Sequence, residues 1–195
     1  MTKKLTGKKI VMIVANEYED IELLYPLLRL SEEGAEIIVV PVLFGNHPRP
    51  WLENKPVTGR FGHPVPIPIM PEGRRHRIEK IENLKAEEID CLLFPGGFSP
   101  DALRRHPPTL ELTRQCHRQG KVLAAICHAP WILISAGLMK GKRATSFVAL
   151  KDDLINAGAE FLDEPMVRDG NIITSRTPLD LPEFCLEIIE ALVRK

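Results

Sequence analysis

The chain has 195 residues, enough for one domain spanning 1–195 with a sizeable buried core. Lysine plus arginine equals aspartate plus glutamate at 26 each, which leaves no electrostatic case for binding nucleic acid or a membrane surface. The basic start MTKKLTGKK is followed only by the short apolar run IVMIVA before Asn16 and Glu17. That is too short for a membrane span and has the wrong flank for a signal peptide, so a cytoplasmic location is expected.

Lys8 to Ala15 (KKIVMIVA) is a continuous apolar run, as expected of a central parallel strand. A helix is predicted over Asp20 to Glu33, with Ile21, Leu24, Leu27 and Leu28 on its apolar stripe and Gly34 ending it. AEIIVVPV supplies a second strand. Strand, helix, strand with short joins is a right-handed βαβ unit, the start of a doubly wound sheet. Residues 43–57 have the composition of a loop insertion. In PVPIPIM, prolines 64, 66 and 68 alternate with Val65, Ile67 and Ile69, which reads as an extended edge segment with one unpaired side. The basic cluster GRRHR at 73–77 reads as a solvated loop. Ile78 to Glu88 reads as a short helix or turn before the strand in IDCLLFPGG. Short helices at Pro100–Arg105 and Thr109–Gln119, a strand at Lys121–Ile126 and a helix at Pro130–Leu138 follow. KDDLINAGA is another helix. FLDEPMVRDGNIITSR reads as a hairpin turning at Asp169-Gly170 or Gly170-Asn171, and Leu181–Val193 as a last helix. With no internal repeat, this is one α/β sandwich.

Cys91, Cys116, Cys127 and Cys185 are widely spaced with no CxxC, so each thiol is core or chemistry rather than a disulfide partner. No histidine pair has metal-ligand spacing, and no metal site is expected.

The most informative stretch is KVLAAICHAPWILISAGL. It places Cys127 and His128 at a strand-to-helix corner, where ligands bind in an open α/β sheet. Exposed amides and the dipole at the following helix start favour a thiolate, and the His128 amide can help hold an oxyanion. Most free cysteines are buried small hydrophobes, and position alone does not choose between the two readings. QCHRQ offers a comparison within the chain: Cys116 and His117 sit in mid-helix, where nothing activates the thiol. Two other strand ends converge on the same region. FPGG brings Gly96 and Gly97, whose amides can approach a substrate unobstructed, with Asp101 on the next helix. NEYEDIE brings Glu19 and Glu22 one turn apart, at a helix start where acidic residues commonly serve the dipole.

ANEYEDIELLYP, TGRFG, FPGGFSPDALR, AAICHAPWILISAG, KDDLINAGA and SRTPLDLP, in this order, closely resemble the PfpI intracellular-protease branch of the ThiJ/PfpI superfamily. The resemblance implies a flavodoxin-like three-layer sandwich, akin to class I glutamine amidotransferases, with a mostly parallel sheet and no cofactor. It implies a homodimer or homohexamer, Cys127 as nucleophile and His128 as the adjacent base. The third member would be an acidic residue from a neighbouring subunit, here Asp101 where protease members carry Glu. Glu22 matches the glutamate that hydrogen-bonds the cysteine and keeps its pKa low, Glu19 a neighbouring pocket position, and Gly97 with the His128 amide the oxyanion hole. Phe147 stands where protease-type members often have Tyr, which removes a hydroxyl from the substrate side.

The same residues serve attack on a peptide or amide carbonyl and on an α-oxoaldehyde or its protein adducts. A small cleft with a buried thiol favours small carbonyl compounds. The alternative is a non-catalytic oxidative-stress sensor or chaperone built on an oxidisable Cys127. A glutamine amidotransferase needs a His-x-Glu near the C-terminus, and no histidine follows His128.

Overall fold

A computed structural model describes residues 3–44, 55–68, 70 and 72–194. The first apolar run becomes β1 (Lys9–Val14), with Ile10 to Val14 fully buried. Alternate side chains leave a strand on opposite faces, so Ile10, Met12 and Val14 enter one core while Val11 and Ile13 enter another. β2 (Glu36–Pro41) pairs in parallel with one edge of β1, and β3 (Arg77–Ile78) lies outside it. β4 (Cys91–Phe94), β5 (Val122–Ile126) and β9 (Ile172–Ser175) extend the sheet in parallel on the other side. β8 (Met166–Asp169) closes that edge antiparallel to β9, giving the order β3-β2-β1-β4-β5-β9-β8.

α1 (Asp20–Glu32) and α6 (Leu181–Val193) cover one face through Leu23, Leu27, Leu30, Phe184, Ile188 and Leu192. α2 (Ser99–Leu103), α3 (Pro107–Arg118), α4 (Pro130–Ser135) and α5 (Lys151–Asn156) cover the other. Burying one such apolar side chain is worth about 1.5–3 kcal/mol, so packing against the sheet holds these short helices rather than their own propensity. This is the flavodoxin-like three-layer sandwich. No helix among the described residues is long and apolar enough to cross a membrane.

The structure departs from the sequence reading in several places. On α1 the buried line is Leu23, Leu27 and Leu30, whereas Ile21 and Leu28 are about half exposed at 49% and 47%. Two apolar stripes overlap in this helix. The register is set by Asp20 and Glu22, which turn inward to accept backbone N–H groups from Phe61, His63 and Gly96. PVPIPIM is not the sheet edge. Val65 and Ile67 are buried and Pro66 and Pro68 exposed, as alternation requires, but Pro64 makes only an isolated bridge to Thr58. Proline has no N–H to give a ladder, and the edge beside β2 goes to β3 instead. α4 stops at Ser135 because Gly137 (φ +76°) turns the chain, and the Leu138 N–H closes back on the Leu133 carbonyl. A two-residue parallel pair, β6 (Arg143–Ala144) with β7 (Glu160–Phe161), had no sequence signal. The β8–β9 hairpin turns at Gly170-Asn171. Most of the predicted 43–57 insertion lies outside the described residues.

Candidate active site

Cys127 follows β5 with φ +61°, a left-handed backbone that a β-carbon strains by about 1 kcal/mol or more. Two neighbours hold it there. Its N–H donates to the Ser175 carbonyl at the end of β9 (3.0 Å), and its carbonyl accepts the Phe147 N–H (3.0 Å). The elbow turns the side chain into the crevice beyond the strand ends, beside Glu22 and the Gly96-Gly97 turn.

The sulfur lies 3.2 Å from His128 Nδ1 and accepts hydrogen bonds from the Gly97 and His128 amides. Those two amides are the donors an oxyanion beside the sulfur would meet. Gly96 is glycine by contact: a β-carbon there would stand 2.6 Å from Cys127 Cβ and 2.8 Å from Glu22 Oε2. Gly97 is glycine by conformation and contact, with φ +72° and a hypothetical β-carbon 2.4 Å from the Glu17 carbonyl oxygen. The three nearest atoms are all backbone of residues 17–19, so no side chain can move aside. Gly97→Ala is expected to cost about 2–4 kcal/mol in chemical denaturation, with turnover falling alongside. Wild-type stability in that variant would refute the close packing of this turn.

Glu22 reaches into the pocket from α1. Its Oε2 accepts the Gly96 N–H at 2.7 Å, while Oε1 is buried without a hydrogen-bond partner. Burial raises its pKa to about 8, against the Gly96 bond, so the carboxyl is mainly protonated at neutral pH. Burial, followed by the Glu22 carboxylate, pushes the Cys127 thiol up to about 12, and the Gly97 and His128 amides only partly offset this. The direction of this shift runs against the low-pKa thiolate expected from the sequence. The expected help from the helix start is corrected. α4 is only six residues long and begins at Pro130, which has no N–H, while the Trp131 N–H is bonded to the His128 carbonyl. Burial, then the charge of Arg60, lowers the His128 pKa and favours the neutral imidazole. Its ring stacks on Phe147 (centroids 5.0 Å, 24° between planes) and meets Trp131 edge-on (5.3 Å).

Glu19 stands at the mouth, paired with Arg60 (Oε2 to Nη1, 3.2 Å). Asp101 is not in the pocket of its own chain. It is exposed on α2 and pairs with Arg105 at 3.0 Å. Sequence reasoning missed Arg60, although its segment TGRFG was singled out, and it missed Ser175 as the acceptor that fixes the elbow. The other cysteines are buried without disulfides, and burial pushes Cys116 and Cys185 up to about 12. Among the described residues no group of three or more His, Cys, Asp or Glu is placed to hold a metal ion.

A mostly parallel sheet with a strained cysteine elbow, a neighbouring imidazole and two converging amides defines a flavodoxin-like protein with a cysteine-centred site. Residues 8–191 match the model of the DJ-1/PfpI family, and the chain belongs to that family. It is 37% identical over 184 residues to the protein named Deglycase PfpI of Pyrococcus furiosus, covering 94% of this chain and 99% of the relative. YraA of Bacillus subtilis, whose name proposes a cysteine protease, is 37% identical over 186 residues, covering 95% and 99%. Among solved structures, Drosophila melanogaster DJ-1beta superposes with a TM-score of 0.76 at 26% identity, covering 96% of this chain and 91% of that one. A two-domain Anabaena variabilis protein with a DJ-1/ThiJ/PfpI-like and a ferritin-like domain gives 0.79 at 34% identity, covering 95% and 48%.

Proposed function

We propose that the chain is a PfpI-type cysteine-dependent enzyme acting on small α-oxoaldehydes and their protein adducts, with amide hydrolysis as a second reaction of the same residues. One observation carries this reading: the Cys127 sulfur, 3.2 Å from a neutral imidazole, lies under two amide donors. On attack, the thiol proton passes to His128 Nδ1 as sulfur bonds to the carbonyl carbon. The carbonyl oxygen becomes an oxyanion accepting from the Gly97 and His128 amides. His128 then returns the proton to the oxyanion, giving a hemithioacetal, or to the departing amine, leaving a thioester. In the hemithioacetal a proton moves from C1 to C2 to give a thioester too, and water hydrolyses either thioester to the free acid and the thiol. The deglycase names of relatives at 36–37% identity support the aldehyde arm. Phe147 supports it as well, because an aromatic face without a hydroxyl stacks on the base and offers no hydrogen bond to a peptide. The relatives' names do not favour the oxidative-stress sensor over this reading. Four cysteines without disulfides suit a cytoplasmic protein.

The test is to supply methylglyoxal, methylglyoxal-treated N-acetyl-lysine and a fluorogenic peptide amide in parallel, and to measure lactate, freed lysine and amide cleavage. Turnover of the first two above the third supports the reading. No turnover of any substrate ends it.

The exposed carboxylate of Asp101 is proposed to reach His128 of a second copy in a homodimer or homohexamer, orienting the imidazole. Asp101→Asn should then lower kcat at least about tenfold without dissociating the assembly, as followed by light scattering. A chain that is monomeric and active at full rate leaves Asp101 no such role.

A further inference from the structure

Asp20 was not among the residues the motifs singled out, yet it is one of the most engaged side chains near the pocket. Only 3% exposed, it accepts the Phe61 N–H (2.8 Å) through Oδ2 and the His63 N–H (3.0 Å) through Oδ1, and Oδ1 also meets His63 Nδ1 at 2.7 Å. The loop is pressed onto it: a β-carbon at Gly59 would stand 2.4 Å from Asp20 Cγ. The Tyr18 hydroxyl donates to the His63 carbonyl, the Arg60 N–H to the Tyr18 carbonyl (3.0 Å), and the Glu17 N–H to the Thr58 carbonyl (2.7 Å). Segment 58–63 is thus bound along its length to the strand-end segment that carries Glu19 and Glu22. The arrangement aims Arg60 back at the crevice, where its guanidinium meets Glu19 while staying about half exposed.

We propose that Asp20 is a positioning residue: it anchors the 58–63 loop so that Arg60 stands as a fixed positive charge over the mouth of the Cys127–His128 pocket. His128 faces the Cys127 sulfur, with Glu22 and Glu19 beyond it, and Arg60 is the cation opposing its protonation. A fixed cation holds the resting imidazole in its neutral form, whereas a loose arginine would spend its time in solvent. The functional meaning rests on the cysteine–imidazole reading above, but the test does not depend on turnover.

The test follows His128 by nuclear magnetic resonance titration in six proteins: wild type, Arg60→Ala, Arg60→Lys, Asp20→Ala, Asp20→Asn and the Asp20→Ala/Arg60→Ala pair. Removing the Arg60 charge should raise the His128 midpoint by about half a pH unit, and Arg60→Lys should hold it near wild type. Asp20→Ala also removes a negative charge, so the informative quantity is the Arg60→Ala shift within each background. With the anchor gone, that shift should fall to less than half its wild-type size. An equal shift in both backgrounds overturns the proposal. If Asp20→Ala does not fold, Asp20→Asn serves as the second background, because one amide oxygen cannot replace two carboxylate oxygens. Methylglyoxal turnover, measured alongside, judges the catalytic reading separately: reduced coupling without any activity would uphold the anchor and remove the enzyme.

Discussion

Cys127→Ser is expected to lower methylglyoxal and amide turnover by at least about a thousandfold, leaving the fold intact. The hydroxyl is nearly isosteric with the thiol, so the elbow keeps its bonds to Ser175 and Phe147. What disappears is the nucleophile. His128 Nδ1 would face an oxygen far less acidic and less polarisable than sulfur, and its neutral imidazole is too weak a base to ionise it. The two oxyanion donors and the stacked aromatic wall survive, so substrate binding should persist and KM should change much less than kcat. Lactate formation and a thermal unfolding scan check both halves. More than a tenth of the wild-type rate in a well-folded variant would place the chemistry elsewhere.

Glu22→Gln should make the protein more stable, by an amount that grows with pH. Burial holds the folded-state pKa of Glu22 near 8, against an ordinary value of 4.5 in the unfolded chain. Below 4.5 both states are protonated and the carboxyl contributes no penalty. Between 4.5 and 8 the unfolded chain releases its proton while the folded chain retains it, so wild-type stability falls by about 1.4 kcal/mol per pH unit. Above 8 both states are ionised and the loss levels off. A neutral amide can still accept the Gly96 N–H but never ionises. The advantage of Glu22→Gln should therefore be small near pH 4.5, rise to a few kcal/mol by pH 8 and then stay flat. Urea unfolding across this range measures it, and a difference independent of pH would mean that Glu22 is not the buried neutral acid described here. The same substitution removes a carboxylate beside the sulfur, so alkylation of Cys127 should speed up above about pH 8 and change little below it.

The sheet was legible because its central strands are unbroken apolar runs, and a strand buried on both faces can be little else. The Cys-His corner and the Gly-Gly turn were legible for a related reason: ligand sites in this architecture gather at the strand ends, where glycine and punctuation residues mark the chain. The rotation of α1 was not legible. It depends on Asp20 and Glu22 being drawn inward by amides at 61, 63 and 96, remote in sequence. Arg60 escaped notice because it sits in a turn whose direction is set by a buried carboxylate forty residues earlier. The two-residue strands β3, β6 and β7 are too short to show any periodicity. The charge on the sulfur is not legible in the sequence, for an energetic reason. A motif shows which groups are neighbours, but burial and the balance of nearby charges and amides decide which of them is charged, and these exist only in the folded chain.

Cys91, Cys116 and Cys185 are hidden in the native molecule at 1% exposure or less, whereas Cys127 faces the crevice. Opening the sheet turns every one into an ordinary, readily labelled cysteine. In a Cys127→Ser background a thiol-reactive dye is thus a gauge of structural integrity, silent while the layers are closed and bright once they part.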